Sequence, residues 1–375
     1  FAGGYPGPPQ TRNGGTPVTS YLLAGGGPDG HVNPLLAVAD GLRARSSDDT
    51  VLVLGTREGL EARLVPERGY ELVFVDKVPF PRRPNRAALS FPANFSRAVK
   101  QVRRIIRERG IDVVVGFGGY ASAPAYVAAR REGVPVVVHE ANAKPGLANV
   151  LGARTAAAVG VAFEGTPLRG SVVVGMPLRE EVVSLDRAAT RAEAAEFFGV
   201  DADRPTLLVF GGSLGAMRLN EALSGSYSSI LEAGWQLVHV TGERLELVDP
   251  GVPGYVMRRY VDRMDLAFAV ADLIVSRAGA ATVSEISALG IPAVYVPYAV
   301  GNGEQRFNAA SAVAAGAAIL VDDADFTPEY VRSALVPLLA DRARIDAMAA
   351  AAASIGTRTG TENVIALIDG VLRAE

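Results

Sequence analysis

The chain has 375 residues, 49% hydrophobic and 21% charged, a length that favours two domains of ordinary size, each able to bury a core. Its formal net charge of -3 gives no global basic field for nucleic acid, and with no cysteine it carries neither disulfides nor thiolate chemistry, which fits a cytoplasmic protein. No signal peptide is evident, and the apolar runs stop well short of the ~18–20 residues of a membrane helix.

Residues 1–19 are rich in Gly, Pro, Thr and Asn and read as a disordered leader. A short strand at 21–24 enters the glycine-rich turn Gly25, Gly26, Gly27, Pro28, Asp29, Gly30, His31 and then a helix over 34–45. Strands follow at 51–54 and 71–75, and those at 112–115 and 135–138 are almost wholly valine, as a parallel sheet buried on both faces requires. Helical patterns lie at 98–109 and 122–132, with further strands at 156–161 and 172–174. Together these make a first doubly wound α/β domain.

A charged helical stretch, 181–198, joins the halves, and then the motif restarts. The strand 206–210 runs into the turn Gly211, Gly212, Ser213, Leu214, Gly215, Ala216 and a helix from 217; strands at 237–240, 255–257, 273–275, 293–296 and 317–321 complete a second sheet. Three amphipathic helical segments occupy 328–372, broken at 356–360. The expected division is a leader (1–19), an N-terminal domain (20–180), a linker (181–200), a C-terminal domain (201–355) and a terminal helix (356–375) that packs back on the first domain.

The stretch 271–308 concentrates the chemistry. It reads as strand, small-residue turn, helix and strand, with polar residues at the carboxyl ends of the strands, where open α/β sheets bind ligands. The turn at Gly279 leaves the first amides of the following helix unpaired, a site for a diphosphate. Glu285 lies one to two turns in, where its carboxylate can accept from a ribose diol or simply favour the helix dipole. Thr282 and Ser284 offer caps, and the loop Gly301, Asn302, Gly303, Glu304, Gln305, Arg306 can read sugar hydroxyls. Should a diphosphate leave, the helix amides and Arg277 would stabilise it.

The first turn contains G-x-G-x-x-G at Gly25, Gly27 and Gly30, but Gly55 and Thr56 stand where a nicotinamide-binding domain wants an acid for the ribose. Anion binding by exposed amides beside His31 is the alternative, with His31 as general base or phosphate partner. His139 ends a valine-rich strand and reads either as crevice-facing or as a loop support; His239 reads as core. No pattern of metal ligands occurs, and the pair Asp322, Asp323 reads as a solvated turn. Between 77 and 109, Phe80, Leu89, Phe91 and Phe95 alternate with Arg82, Arg83, Arg86, Arg97, Lys100, Arg103 and Arg104, suiting either an anionic membrane surface or an ordinary basic helix.

The segments GGGPDGHVNPLLAVADGL from Gly25, LGTREGLEARLVPERGY, DVVVGFGGYASAPAYVAA, VPVVVHEANAKPGLAN, FGGSLGA, RMDLAFAVADLIVSRAGAATVSEISALGIPAVYVP and GNGEQRFNA follow one another in that order. In their order and spacing the chain resembles, from Leu22 to the last helix, the bacterial cell-wall N-acetylglucosaminyltransferases of glycosyltransferase family 28. The resemblance implies a glycosyltransferase B fold, two Rossmann-like domains facing each other across a cleft. It also implies inverting transfer of N-acetylglucosamine from UDP-N-acetylglucosamine to undecaprenyl-diphospho-muramyl pentapeptide (lipid I), forming lipid II, with no cofactor.

On this resemblance the donor is held by Glu285 at the ribose, by Ser213, Gly279, Ala280, Ala281 and Thr282 near the diphosphate, and by Glu304, Gln305 and Asn308 at the sugar. The acceptor is held by Gly26, Gly27, Gly30, His31, Tyr120, His139, Glu140 and Asn142, with His31 as base and Glu140 as its rival. The basic apolar patch rests on the cytoplasmic face of the membrane, and other cell-wall synthesis and division proteins are the expected partners.

The chain departs from the family pattern in four loops. Pro28 and Asp29 replace Thr and Gly of GGTGGH, Ala141 replaces Gln of HEQN, Met176 replaces Asn of GNP, and Leu214 replaces Gln of GGSQGA. Pro28 removes a donor amide and Asp29 adds negative charge, both weakening an acceptor phosphate site. Two alternatives follow: a divergent glycosyltransferase acting on another lipid-linked or small acceptor, or a catalytically weakened UDP-sugar-binding paralogue.

Overall fold

The structure, a computed structural model, describes residues 18–26, 29–81, 86–212, 215–243, 247–298 and 303–374. The chain divides into two compact units, the first made of residues 1–179 and 359–375, the second of residues 180–358.

Unit 1 carries strands β1 (Ser20–Ala24), β2 (Thr50–Gly55), β3 (Glu71–Phe74), β4 (Val113–Gly116), β5 (Val136–Glu140), β6 (Ala158–Val161) and β7 (Ser171–Val173), all parallel, in the order β3-β2-β1-β4-β5-β6-β7. Helices α1 (Asp29–Arg45), α2 (Glu61–Glu67), α3 (Arg86–Arg109), α4 (Ser122–Glu132) and α5 (Leu147–Ala153) connect them. Alternation along β1 explains the layering: Leu22 and Ala24 face a core under α3 and α4, while Tyr21 and Leu23 face one under α1. The terminal helix Gly360–Leu372 completes that second layer with Val364, Ile368 and Val371. Arg45 bridges to Asp369 on it, at 2.7 Å, and Asn363 donates to the Val174 carbonyl at 3.0 Å.

Unit 2 carries β8 (Thr206–Phe210), β9 (Gln236–Val240), β10 (Tyr255–Arg258), β11 (Leu273–Ser276), β12 (Ala293–Tyr295) and β13 (Ala318–Leu320), again all parallel, in the order β10-β9-β8-β11-β12-β13. The stretch read as a joining segment forms two helices, Glu180–Val183 and Arg187–Phe198, the latter capped by Asp186, which accepts from the amides of Ala188 and Ala189 at 3.0 and 3.1 Å. Arg191 then ties it to Asp272 at 2.9 Å, making it part of unit 2.

Two helices begin earlier than their sequence patterns suggest. The first starts at Asp29 rather than 34, so His31 lies in its first turn; Pro34 then falls inside the helix, where it cannot donate the usual i→i−4 bond to the Gly30 carbonyl. Helix α3 starts at Arg86 rather than 98 and carries Pro92 within it. Phe91 and Phe95, one turn apart, stack at 5.5 Å and meet Phe80 at 5.4 and 6.4 Å, and this cluster packs on the core and extends the helix.

Both sheets reverse strand order between two neighbours, β1 and β4 in unit 1 and β8 and β11 in unit 2. Loops leaving the carboxyl ends on either side of such a switch diverge and open a crevice for ligands. In each unit the loop after the first of these strands, β1 or β8, is glycine-rich.

Candidate functional site

In unit 1 the loop after β1 is held between its neighbours. Gly119, at φ +82°, lies so close to Gly26 that any Cβ there would overlap the Gly26 carbonyl, and Gly118, at φ +96°, leaves room for the His31 ring. His31 Nδ1 lies 2.9 Å from the Phe117 carbonyl. A carbonyl can only accept, so Nδ1 carries a proton, and in the neutral ring Nε2 is then the nitrogen with the lone pair that a general base needs. Ser122, fully buried at the start of α4, accepts from the Gly118 amide at 3.1 Å and has the Ala24 and Gly118 carbonyls at 2.9 and 2.7 Å as alternative acceptors for its one hydroxyl proton, which ties β1 to the loop after β4.

His139 and Glu140 close β5 and are both buried. His139 Nε2 donates to the Gly175 carbonyl at 3.0 Å, which leaves Nδ1 unprotonated and without a protein partner. Burial pushes its pKa below the ordinary histidine range, and the neighbouring His31 adds to this. Glu140 Oε1 accepts from the Asn142 amide at 2.8 Å, and Oε2 accepts from the Gly146 amide and from Asn149 Nδ2, both at 2.9 Å. A carboxylate so engaged folds the 140–149 loop, which is a different task from taking a substrate proton. Tyr120 is partly exposed, with Lys77 Nζ 4.9 Å from its ring centroid. A Cβ on Gly30 would meet nothing, so that face is open.

Three residues that sequence reasoning passed over belong here. Asn149 reaches the His139 carbonyl as well as Glu140, and Tyr126 donates to Asn149 at 2.7 Å. Glu61 is the third. The sequence shows no acid at the end of β2, yet the chain returns Glu61 to that point, fully buried, with Oε1 accepting from the Thr56 amide at 2.8 Å and hydroxyl at 2.9 Å. It points inward and offers a ribose nothing.

In unit 2, Gly279 caps the helix Ala280–Ala288 in extended conformation with no side-chain cap bond. The amides of Ala280, Ala281 and Thr282 therefore open the helix toward the strand ends, an anion site in the making. Glu285, half-buried, lies one turn beyond Ala281 on the same helix. Gln305 Oε1 accepts from the amides of Ala278 and Tyr298 at 3.2 and 2.9 Å, and buried Asn308 donates to the Ala278 carbonyl at 3.2 Å. These two side chains thus set the backbone on which the Gly279 turn depends, and Glu304 begins the short helix Glu304–Asn308 that carries them.

Arg277 and the acidic turn correct a reading made from sequence. Asp323 is not merely solvated: it pairs with Arg277, whose guanidinium also donates to the Val296 carbonyl at 2.9 Å. Asp322 pairs with Arg306. The turn thus anchors Arg277 at the end of β11.

Gly27, Ser213 and the departures Pro28 and Leu214, with Gly301 and Asn302, lie outside the described residues. The departures Ala141 and Met176 are buried to 1% and 2% exposure, so they are packing positions. Among the described residues no group of three or more His, Asp or Glu could hold a metal ion, and no helix is long and apolar enough to cross a membrane.

Two parallel α/β units, each with a glycine-rich loop at its switch point, define the class of proteins with the glycosyltransferase B fold. Residues 21–161 match the glycosyltransferase family 28 N-terminal domain and residues 206–364 its C-terminal domain. The chain belongs to glycosyltransferase family 28. It is 61% identical to the UDP-N-acetylglucosamine--N-acetylmuramyl-(pentapeptide) pyrophosphoryl-undecaprenol N-acetylglucosamine transferase of Leifsonia xyli subsp. xyli, over 94% of this chain and 98% of that protein. It is equally 61% identical to the protein of the same name from Clavibacter michiganensis subsp. michiganensis, over 95% and 98%. Among solved structures, MurG of Acinetobacter baumannii superposes with a TM-score of 0.77 at 30% identity, covering 94% of this chain and 100% of that one.

Proposed function

We propose that the chain is an inverting hexosyltransferase that moves N-acetylglucosamine from UDP-N-acetylglucosamine to undecaprenyl-diphospho-muramyl pentapeptide, converting lipid I to lipid II for peptidoglycan synthesis. The observation that carries this reading is 61% identity, over 94% of the chain, with a transferase named for that donor and acceptor.

Unit 2 takes the donor. Its diphosphate lies against the amides of Ala280, Ala281 and Thr282, and the family resemblance assigns Ser213, outside the described residues, to the same group; Glu285 accepts from the ribose hydroxyls, and Glu304 and Gln305 read the sugar. Asn308 acts one step back, by fixing the Ala278 backbone. Arg277, held by Asp323, supplies a stationary positive charge at the strand ends.

Unit 1 takes the acceptor through Gly26, Gly27, Gly30, Tyr120, Asn142 and His139, the last buried at the end of β5 and acting from behind through its bond to the Gly175 carbonyl. The acceptor oxygen bonds to the anomeric carbon from the face opposite UDP while the bond to the phosphate oxygen breaks. The hydroxyl proton passes to His31 Nε2 and the electron pair leaves with UDP. Glu140 positions the loop and is not the base. Because Ala141 and Met176 are packing positions, these two departures leave the chemistry facing the acceptor unchanged.

The chain works as a peripheral protein on the cytoplasmic face of the membrane. Leu89 is 84% exposed near the start of α3, and Arg97, Lys100 and Arg104 are exposed further along it. Other cell-wall synthesis and division proteins are its expected partners there.

The test is UDP release from UDP-N-acetylglucosamine with and without the lipid-linked acceptor, with product mass determined and Glu285→Ala as control. Acceptor-dependent release that the control loses supports the reading. UDP binding without release sinks it and leaves another acceptor or a weakened paralogue.

A further inference from the structure

We infer that Glu61 is a positioning residue for the acceptor loop, holding the backbone at Gly26 against the loop after β4; this rests on the reading of unit 1 as the acceptor domain. A fully buried carboxylate is costly unless something is arranged around it. Here three glycines are. A Cβ on Gly26 would overlap Oε1, one on Gly59 would overlap Oε2, and one on Gly55 would stand 2.5 Å from Cγ. The side chain runs from the start of α2 through the gap between the exits of β1 and β2, and Thr56 fixes its head with two hydrogen bonds.

On its other side the same Gly26 meets Gly119, where an added Cβ would overlap the Gly26 carbonyl. The Gly26 backbone is therefore clamped, with Glu61 on the β2 side and Gly119 on the β4 side, at the switch point of the sheet. A plain structural role, favouring the start of α2 through the helix dipole, would not call for a side-chain-free position at Gly26, in a different segment from the β2–α2 connection that holds Gly55 and Gly59. The clamp has a chemical consequence. Gly118, next to Gly119, packs on His31, so the position of the base and the path of the loop are set by one contact chain running from Glu61 to His31.

The experiment uses the full chain with Glu61→Gln and Gly26→Ala. The first keeps the shape but removes the charge, and the second presses a methyl group onto the carboxylate. Both are expected to raise the acceptor KM roughly tenfold while the donor KM stays within about twofold. Amide hydrogen exchange at 25–31 is expected to rise while that at 211–216 does not. Should Glu61→Gln fail to fold, Thr56→Val removes only the hydroxyl donor to the same carboxylate and takes its place. An unchanged acceptor KM with unchanged exchange at 25–31, or an equal rise in both KM values, overturns the inference. A wild-type chain that turns over no lipid-linked acceptor defeats the acceptor reading instead, and the exchange at 25–31 still decides whether Glu61 holds the loop.

Discussion

The division of labour between histidines is decided by single hydrogen bonds. His31 and His139 each donate to a backbone carbonyl, but through opposite ring nitrogens, so Nε2 is bare in one and Nδ1 in the other. Only the half-buried His31 combines a bare nitrogen with access. Replacing it by Asn keeps a donor for the Phe117 carbonyl and removes the proposed base, so kcat is expected to fall about 100- to 10,000-fold while the donor KM holds. Steady-state rates over both substrates check this; a fall of less than tenfold would move the base elsewhere.

At the scale of elements, the second glycine loop leans on a buried polar chain. Gly215, at φ +79°, lies so close to the end of β9 that a Cβ would overlap the Thr241 carbonyl. That carbonyl accepts from Asn220 Nδ2 at 2.9 Å, Asn220 Oδ1 accepts from His239 Nε2 at 2.9 Å, and Tyr255 donates to His239 Nδ1 at 2.8 Å. Burial lowers the His239 pKa from 6.5 to about 4. The unfolded chain then binds the proton more readily between those values. The stability from neutral His239 is full above pH ~6.5 and lost progressively toward pH ~4, on the order of 3 kcal/mol in all. Thermal melts from pH 7 to 4 are expected to fall more steeply for the wild type than for His239→Gln, and parallel curves would refute the assignment.

Helix α3 carries the second expectation at this scale. If its exposed Leu89 and cations meet the bilayer, the combined change of Arg97, Lys100 and Arg104 to Glu weakens sedimentation with vesicles containing anionic lipid, by roughly 1 kcal/mol per charge removed. Binding to neutral vesicles would change little. Equal binding before and after the change would remove this helix from the membrane contact.

For the whole molecule, the terminal helix matters most. Gly360–Leu372 is remote in sequence from unit 1 but buries Val364, Ile368 and Val371 in its core. At about 1.5–3 kcal/mol for each such side chain, its removal costs roughly 5–9 kcal/mol, comparable to the stability of a domain. A chain ending at residue 358 is expected to retain UDP binding in unit 2 and to lose the cooperative melting of unit 1. Calorimetry with a UDP titration separates the two, and an unaltered unit 1 transition would contradict the burial argument.

Much of this protein was legible in its sequence. The valine-rich β4 and β5, the glycine turns and the strand-end polar residues announced two doubly wound units, because a parallel sheet buried on both faces leaves only apolar runs and glycine punctuation to write with. The Gly279 turn and its helix were equally plain, since an uncapped helix start needs only local chain to form. Only the tertiary structure decided what the polar side chains do. Glu61, Asn149, Asp323 and the two histidines take their roles from partners that are often tens of residues away, such as Phe117 for His31 and Arg277 for Asp323. A hydrogen bond is set by direction and distance between atoms of different segments, and those come into being only when the segments have packed.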